Sequence, residues 1–378
     1  MRERIILFLI LGFDAIVLLY EVSTLSITAH EADVLFHANS FVHYLTQFSV
    51  TVFGHNDYAL RMPMIFFHLL SVLLLYQVSK PYVKRNSDRL WLVFVYILLP
   101  GVMSAELLVN SAGIMIFALF LLLYLYQIKS PLIPLVLLLF LVIDGASALL
   151  YFALFVYAFN KNNKFYMVFT AILFFIAYYF YGFDTMGRPS GHFLDTLGLY
   201  ATIFSPVVFI FLIYVLYRKM ISKEYDITLY VSGVVFVVSL LLSFRQQIHI
   251  EHFAPYLMLL LPLAAQTFFS SYRVRLRTFR GRYRAMLAVG FAILAVHFFL
   301  LLFNKGLYLF LDNPHKHFAY KKHLVKELAE SLKDREISCV SAENGGRGDG
   351  ERRHAGRRRS AIAGHPAISR TDGCRSSL

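Results

Sequence analysis

The apolar run at residues 5–20, IILFLILGFDAIVLLY, decides the fold class of this chain. Its one charged side chain is Asp14, and with the residues that follow it is long enough to cross the roughly 30 Å hydrocarbon layer of a bilayer as a helix. We find no small-residue cleavage site before the next polar loop, so we interpret the run as a first spanning helix. A carboxylate within such a helix is expected to face other helices or water.

The composition of the whole chain agrees with this interpretation. Of 378 residues, 58% are hydrophobic and 16% are charged, whereas soluble domains have about 25% charged residues. Further apolar runs lie at residues 62–79, 90–108, 112–128, 132–145, 147–159, 164–182, 195–217, 227–243, 253–271 and 285–303. The sequence therefore predicts an all-α polytopic membrane protein with about eleven transmembrane helices. The short pair 132–145 and 147–159 leaves one bent or re-entrant segment open as an alternative, which would change the orientation of everything after it.

The distribution of lysine and arginine predicts the orientation. If the N-terminus is cytoplasmic, most basic residues fall in cytoplasmic segments, while Arg61, Arg188 and Arg245 lie outside before the last crossing. This asymmetry is the positive-inside pattern, and it places the C-terminus outside. We interpret the basic loop SYRVRLRTFRGRYR (271–284) as a topology determinant rather than a nucleic-acid patch. Membrane lipids, and no nucleic acid, are the expected partners.

The polar loop Ile27–Met64, ITAHEADVLFHANSFVHYLTQFSVTVFGHNDYALRMPM, follows the first helix on the outward side. Apolar residues recur there in steps of three and four, at Val34, Ala38, Phe41, Leu45 and Phe48. This spacing predicts an amphipathic helix over 31–50 on the outer membrane surface. Glu31 would then lie in its first turn, where the helix dipole favours a carboxylate, so a capping role is an alternative to catalysis.

The C-terminal part differs in character. Residues 1–304 form the predicted transmembrane domain, and 305–343 read as the start of a small extracytoplasmic αβ domain, with a helix near 317–333 and a strand at 337–340. Residues 344–378 are rich in arginine and glycine and have no aromatic residue, which predicts a disordered or frame-shifted tail. The two cysteines, at 339 and 374, indicate neither a disulfide framework nor a cysteine metal site.

The three outward arginines suit an enzyme whose donor is a lipid phosphate. A guanidinium matches phosphate oxygens bidentately, so Arg61, Arg188 and Arg245 are candidate ligands of the donor phosphate. The alternative for Arg61 is a helix-end anchor whose head group reaches the membrane interface.

Sugar transfer from such a donor also requires a base that accepts the proton of the acceptor hydroxyl. Glu31 and Asp33 are the nearest carboxylates, and His30, Asp57 and His252 are auxiliary candidates. A divalent metal such as zinc could be bound by Glu31 with a histidine, because zinc accepts imidazole and carboxylate ligands. Interfacial histidines without a ligand are the alternative, and we assign no metal site or cofactor from the sequence.

A family resemblance adds to these observations. The first helix, the acidic outward loop, FGHNDYALRMP (53–63) and LLPG…LLVNSAG (98–113) resemble the bacterial branch of the dolichyl-phosphate-mannose protein mannosyltransferase family. That family includes the lipid A aminoarabinose transferases and has the C-type glycosyltransferase fold. SFRQQIHIEHFAPYL (243–257) is similar to its late outward loop. The resemblance covers about residues 1–305.

The resemblance implies an inverting transfer from a polyprenyl-phosphate-linked sugar to an extracytoplasmic lipid, glycan or protein, in the bacterial inner membrane. It also implies that the acidic pair of the first loop supplies the base. Where the family has Asp–Glu, this chain has His30–Glu31, with Glu31-Ala32-Asp33 as an alternative acidic pair, and Ala112 stands where a second acid is common. These departures favour a rival hypothesis, a non-catalytic protein that binds polyprenyl phosphate or assists envelope-glycan assembly. A transporter is a weaker rival, because the chain has no evident internal repeat.

Overall fold

The computed structural model describes residues 2–36, 40–182, 191–223, 226–276 and 280–303, together with 331, 334, 341–342 and 368–369. The membrane domain is built from helices only, as the sequence predicts. They are α1 (Arg2–Thr24), α2 (Ala29–Phe36), α3 (Phe41–Phe53), α4 (Asp57–Val78), α5 (Asn86–Ile97), α6 (Pro100–Leu107), α7 (Ser111–Gln127), α8 (Ile133–Ile143), α9 (Ser147–Asn160), α10 (Lys164–Tyr181), α11 (Phe193–Phe204), α12 (Pro206–Ile221), α13 (Ile227–Ser243), a 3₁₀ turn (Ile250–His252), α14 (Ala254–Met258), α15 (Leu261–Val274) and α16 (Arg280–Leu302).

Several of these helices could span a membrane. In the described part of the chain, five segments are long and apolar enough: α1, α4, α10, the combined α14–α15, and residues 283–302 of α16. Two bent pairs would add two spans, α5–α6 with a bend of 62° and α11–α12 with a bend of 106°. The helices α7, α8, α9 and α13 are apolar but shorter. The prediction of a multi-pass membrane protein agrees with these helices, while the count of about eleven stays a prediction.

The bundle has two ends, which we name by one residue each. At the Glu31 end, Glu31 of α2 accepts a hydrogen bond from the Val109 amide in the link between α6 and α7. At the Lys129 end, the side chain of Gln127 at the end of α7 donates to the carbonyl of Val78 at the end of α4. Lys129 also lines a cavity of about 510 Å³ there.

The residues that line this cavity show where α8 begins and where α9 ends. It is lined by Ile133 at the start of α8 and by Ala158 and Lys161 at the end of α9. The chain therefore returns to the end of the bundle from which it left, so α8 and α9 form a hairpin, and the choice between two crossings and one bent or re-entrant segment stays a prediction.

The loop after α1 forms two helices rather than the single helix predicted over 31–50. The side chain of Ser40 caps α3 by accepting a hydrogen bond from the His43 amide at 3.2 Å. A serine cap satisfies an amide that has no partner in the first turn, so Ser40 starts a separate helix after α2.

One face of α3 packs on the bundle. Val42, Thr46 and Val50 are buried there, whereas Phe48 of the predicted apolar stripe is 67% exposed, as a side chain that faces lipid would be. The buried residues pack with Leu60 of α4 and other apolar side chains at the Glu31 end. The regular spacing of apolar residues indicated helical structure correctly, and the contact of this stripe with the membrane surface stays a prediction.

The C-terminal predictions lie largely outside the described residues. Ser341–Ala342 and Ile368–Ser369 pair as a two-residue antiparallel ladder. The predicted strand at 337–340 and the predicted helix near 317–333, apart from Ser331, are outside the described part of the chain. The αβ domain and the disordered tail therefore stay predictions.

A glycine contact provides a test of the packing between α6 and α11. A Cβ added at Gly101 would clash with the Ile203 side chain and lie 3.0 Å from the Ile203 carbonyl oxygen, whereas one added at Gly12 meets nothing within 4 Å. We expect Gly101→Ala to lower the free energy of unfolding by about 1–3 kcal/mol, as other overpacked sites do. Gly12→Ala should be neutral or stabilising, because alanine is the better helix former. Thermal unfolding of both variants in detergent measures this, and equal stability would contradict the packing.

Candidate functional site

Glu31 forms the start of α2 through a capping box. The Thr28 amide donates to Oε2 of Glu31 at 2.8 Å, and the Glu31 amide donates to Oγ1 of Thr28 at 3.1 Å. Such reciprocal bonds satisfy two amides that lack helical partners. The capping role predicted as an alternative for Glu31 is confirmed.

Glu31 also makes a buried, bidentate ion pair with Arg61 of α4. Nε of Arg61 donates to Oε1 at 3.2 Å, and Nη2 donates to Oε2 at 3.1 Å. The side chains are 1% and 0% exposed, respectively. An anchor that reaches the membrane interface would expose its guanidinium, so that alternative for Arg61 is wrong.

The remaining donors of Arg61 bind the end of α1. Nη1 donates to the Leu25 carbonyl at 3.2 Å, and Nη2 donates to the Ser26 carbonyl at 2.9 Å. With the Val109 amide, which donates to Oε1 of Glu31 at 3.2 Å, the pair joins α1, α2, α4 and the α6–α7 link. Moving one of these segments away would leave a buried charge without its partners, which lowers stability. The pair therefore holds the four segments in one arrangement.

The bonds around Glu31 fix its charge state. Burial raises the pKa of the Glu31 carboxyl, but the hydrogen bonds and charge of Arg61, with the amides of Thr28 and Val109, outweigh burial and lower it. Glu31 is therefore ionised at neutral pH. Each of its oxygens accepts two hydrogen bonds, which fills the four acceptor positions of a carboxylate. A proton could reach Glu31 only if one of these bonds broke.

A second acid–base pair at this end is more accessible. Asp144, which follows α8, lies beside His252 of the 3₁₀ turn, with Oδ2 at 2.7 Å from Nδ1. The Asp144 side chain is 9% exposed and the His252 side chain 36%. Because a carboxylate only accepts, we assign the ring proton to Nδ1, which leaves the lone pair on Nε2.

Three further contacts define this pair. The Ser111 hydroxyl donates to the same Asp144 oxygen at 3.4 Å, and the Ala146 amide donates to the other at 3.3 Å. The hydrogen bond from Asp144 raises the pKa of His252 above its ordinary value of 6.5, although burial opposes the shift. An oriented imidazole with a free Nε2 and a raised pKa is a strong base for a group that titrates near neutrality.

The two pairs lie on either side of one short segment. Val109 donates to Glu31, and Ser111, two residues later, donates to Asp144. Asn110 between them caps α7 by accepting the Ala112 amide at 3.0 Å. The link 109–111 thus brings a closed ion pair and an accessible acid–base pair to the same end of the bundle.

The other predicted site residues differ in how exposed they are. His30 and Asp33 are exposed on α2, Asp57 is half-buried in the first turn of α4, and Arg245 is exposed after α13. Arg188 lies outside the described residues. The contacts of Glu31 within the described residues include no histidine, so a zinc site built on Glu31 and a histidine gains no support.

Sequence reasoning missed the role of Asp144. In the sequence it stands at the break between two short apolar runs, and its partner His252 is 108 residues away. An aspartate in an otherwise apolar hairpin does signal a need for a partner, but the signal does not name one.

The Glu31–Arg61 pair can be tested by removing one charge and then both. Arg61→Met leaves Glu31 buried without its counter-charge, and we expect the free energy of unfolding to fall by about 3–5 kcal/mol. The double variant Glu31→Gln/Arg61→Met should lose less, because no charge remains buried. Arg245→Met, which removes an exposed arginine, should change stability by no more than about 0.5 kcal/mol. Thermal unfolding in detergent measures all three, and strictly additive losses in the double variant would contradict the pairing.

Comparison of the chain with protein-family models, curated proteins and solved structures finds no match. The functional assignment therefore depends on the residues at the Glu31 end and on their geometry.

Proposed function

We propose that this chain is a membrane glycosyltransferase of the C-type fold, which transfers a sugar from a polyprenyl-phosphate donor to a hydroxyl acceptor outside the cytoplasm. The observation that carries the proposal is the arrangement at the Glu31 end. The buried Glu31–Arg61 pair and the accessible Asp144–His252 pair meet there across residues 109–111. The first pair holds the backbone segments in place, and the second pair supplies a base. Both lie beside apolar helices that a lipid donor could approach.

In this proposal His252 is the base. Nε2 takes the proton of the acceptor hydroxyl as its oxygen attacks the anomeric carbon, and the bond from that carbon to the phosphate oxygen breaks. The leaving group is polyprenyl phosphate, and the configuration inverts. Asp144 holds the ring through Nδ1 and stabilises the imidazolium that forms, as the carboxylate of a catalytic triad does. Asp33 is the other candidate base, because it is exposed on α2.

Glu31 and Arg61 act as positioning residues in this proposal. The guanidinium already donates to Glu31 and to two carbonyls, so a phosphate at Arg61 would have to replace partners that are themselves buried. The exposed Arg245, together with Arg188, is the better candidate ligand of the donor phosphate, because its guanidinium lies open after α13 and can bind bidentately.

We further propose eleven crossings in a bacterial inner membrane, with the N-terminus in the cytoplasm and the Glu31 end outside. The four shorter apolar helices, counted with the five long segments and the two bent pairs, give this number. The basic side chains Lys129 and Lys161 lie together at the opposite end, as the positive-inside rule requires of a cytoplasmic face.

Single cysteines test this orientation. In a chain with Cys339 and Cys374 replaced by serine, we expect His55→Cys and His249→Cys to react with a membrane-impermeant maleimide in intact spheroplasts. Lys84→Cys and Lys161→Cys should react only after permeabilisation, because they lie at the other end. All four positions are exposed in the structure. Labelling of Lys161→Cys from outside would contradict the proposed topology.

A second candidate function is binding of polyprenyl phosphate without transfer. Two observations favour it: all acceptor positions of Glu31 are occupied, and His30 stands where the resembled family has an aspartate. In that case the Glu31 end would bind the lipid phosphate through its arginines and pass it on unchanged.

A transfer assay separates the two functions. Membranes containing the wild-type chain are supplied with radiolabelled undecaprenyl-phosphate sugars, and both bound donor and transferred sugar are measured. We expect transfer, and we expect His252→Gln to lower its rate by about 10²–10⁴, the usual contribution of a general base. His249→Gln, which changes the neighbouring histidine 6.2 Å away between ring centres, should retain the rate.

The pH profile gives an independent measurement. His252 acts as a base when neutral, so the wild-type rate should rise with pH, with a midpoint above the ordinary histidine value of 6.5. Asp144→Asn removes the charge that raises the pKa and should move the midpoint to lower pH. Donor binding without any transfer by the wild type would support the second candidate, and neither binding nor transfer would contradict both.

A further inference from the structure

Three ionisable side chains meet inside the bundle, away from the Glu31 end. Asp14 of α1, His68 of α4 and Glu106 of α6 are 3%, 2% and 2% exposed. Nε2 of His68 lies 2.7 Å from Oδ2 of Asp14, and Nδ1 of His68 is in contact with Oε1 of Glu106. The ring stacks on Tyr96, with ring centres 5.9 Å apart and an angle of 8° between the planes. The proposed transfer reaction uses none of these groups.

The charges of this cluster require compensation. With both carboxylates ionised and the imidazole neutral, the cluster would carry two negative charges within helices that are apolar enough to span a membrane. Unpaired charges in such surroundings are expensive, and ionisable residues there mark ion or proton sites by default. Two positive charges are needed for neutrality, which one divalent cation supplies.

The orientation of His68 favours a metal ion as that cation. An Nε2–H donated to Asp14 leaves the lone pair of Nδ1 directed towards Glu106. This is the usual arrangement of a metal-binding histidine, whose second nitrogen is held by a carboxylate. Nδ1 of His68 and Oε1 of Glu106 are buried and form an ion-pair contact with each other, and within the described residues neither makes a well-directed hydrogen bond. With the Nδ1 lone pair facing a carboxylate oxygen, a cation between the two atoms would relieve their repulsion.

The spacing fits a single ion. One donor atom from each of the three residues lies within 4.8 Å of the other two. Zinc binds imidazole nitrogen and carboxylate oxygen at about 2.0–2.2 Å, so an ion between Nδ1 and Oε1 would separate them to roughly 3.3 Å in a tetrahedral site. Rotation of the Glu106 side chain provides this separation, and water can fill the remaining position.

We propose that Asp14, His68 and Glu106 form a binding site for a divalent transition-metal ion inside the membrane domain. His68 Nδ1 and Glu106 are the ligands nearest the ion, and Asp14 fixes the ring and brings a second carboxylate within reach. The ion would link α1, α4 and α6, which the Glu31–Arg61 pair also joins at one end of the bundle. This proposal does not depend on the glycosyltransferase assignment.

The test measures metal bound to the full chain purified in detergent. The protein is stripped with a chelator, equilibrated with Zn²⁺ or Co²⁺, and analysed by mass spectrometry of the metal, by cobalt absorption bands and by thermal unfolding. We expect one Zn²⁺ per chain that His68→Gln and Glu106→Gln lose, and a 10–100-fold weaker affinity in Asp14→Asn. His297→Gln, which replaces a half-buried histidine of α16, should keep the ion. Zn²⁺ should also raise the unfolding temperature of the wild type, because binding stabilises the folded state.

Several results would overturn the proposal. Metal retained equally by the wild type and by His68→Gln would show binding at surface histidines or tail cysteines instead. A wild type that binds no ion and shows an infrared band of a protonated carboxyl, removed by Glu106→Gln, would show that two protons supply the charge. If His68→Gln does not fold, the wild-type stoichiometry and the affinity of Asp14→Asn decide.

Discussion

The ion pair between Glu31 and Arg61 is the interaction on which the Glu31 end depends. It removes two charges from water, and such a pair is stable only if the remaining donors and acceptors are satisfied. Here both oxygens of the carboxylate and all three nitrogens of the guanidinium have partners. Besides each other, those partners are backbone groups at the end of α1, at the start of α2 and in the α6–α7 link, so satisfying the charges also fixes where these segments lie. The Asp144–His252 pair is placed by the same link, because Ser111 follows Val109 by two residues.

Much of the helical framework was predictable because apolar length and helix ends are local properties. The predicted run 227–243 coincides with α13 (Ile227–Ser243), and 164–182 with α10 (Lys164–Tyr181). The breaks within 90–108 and 195–217 were not predicted. They lie where Pro100 and Pro206 each begin a new helix after a bend, and a proline in an apolar run is compatible with either a kink or a new start.

The candidate site was predictable only where its signal was local. The capping role of Glu31 depends on Thr28, three residues away, and its sequence pattern is short and readable. The pairing of Asp144 with His252 spans 108 residues, and that of Asp14 with His68 spans 54. In these cases the sequence indicates that an isolated polar group in an apolar run needs a partner. Which residue supplies it depends on how the helices pack, and hydrophobic patterning does not encode that choice.

The shortness of the α8–α9 hairpin has a consequence for the surrounding lipid. Helix α8 has 11 residues and α9 has 14, so at 1.5 Å per residue they are roughly 16 and 21 Å long, well short of a 30 Å hydrocarbon layer. A bilayer meets such a mismatch by becoming thinner beside the protein. The headgroup region would then dip towards the turn at Asp144. In the transferase that we propose, the phosphate of a membrane-borne donor could reach His252 without its tail leaving the acyl chains.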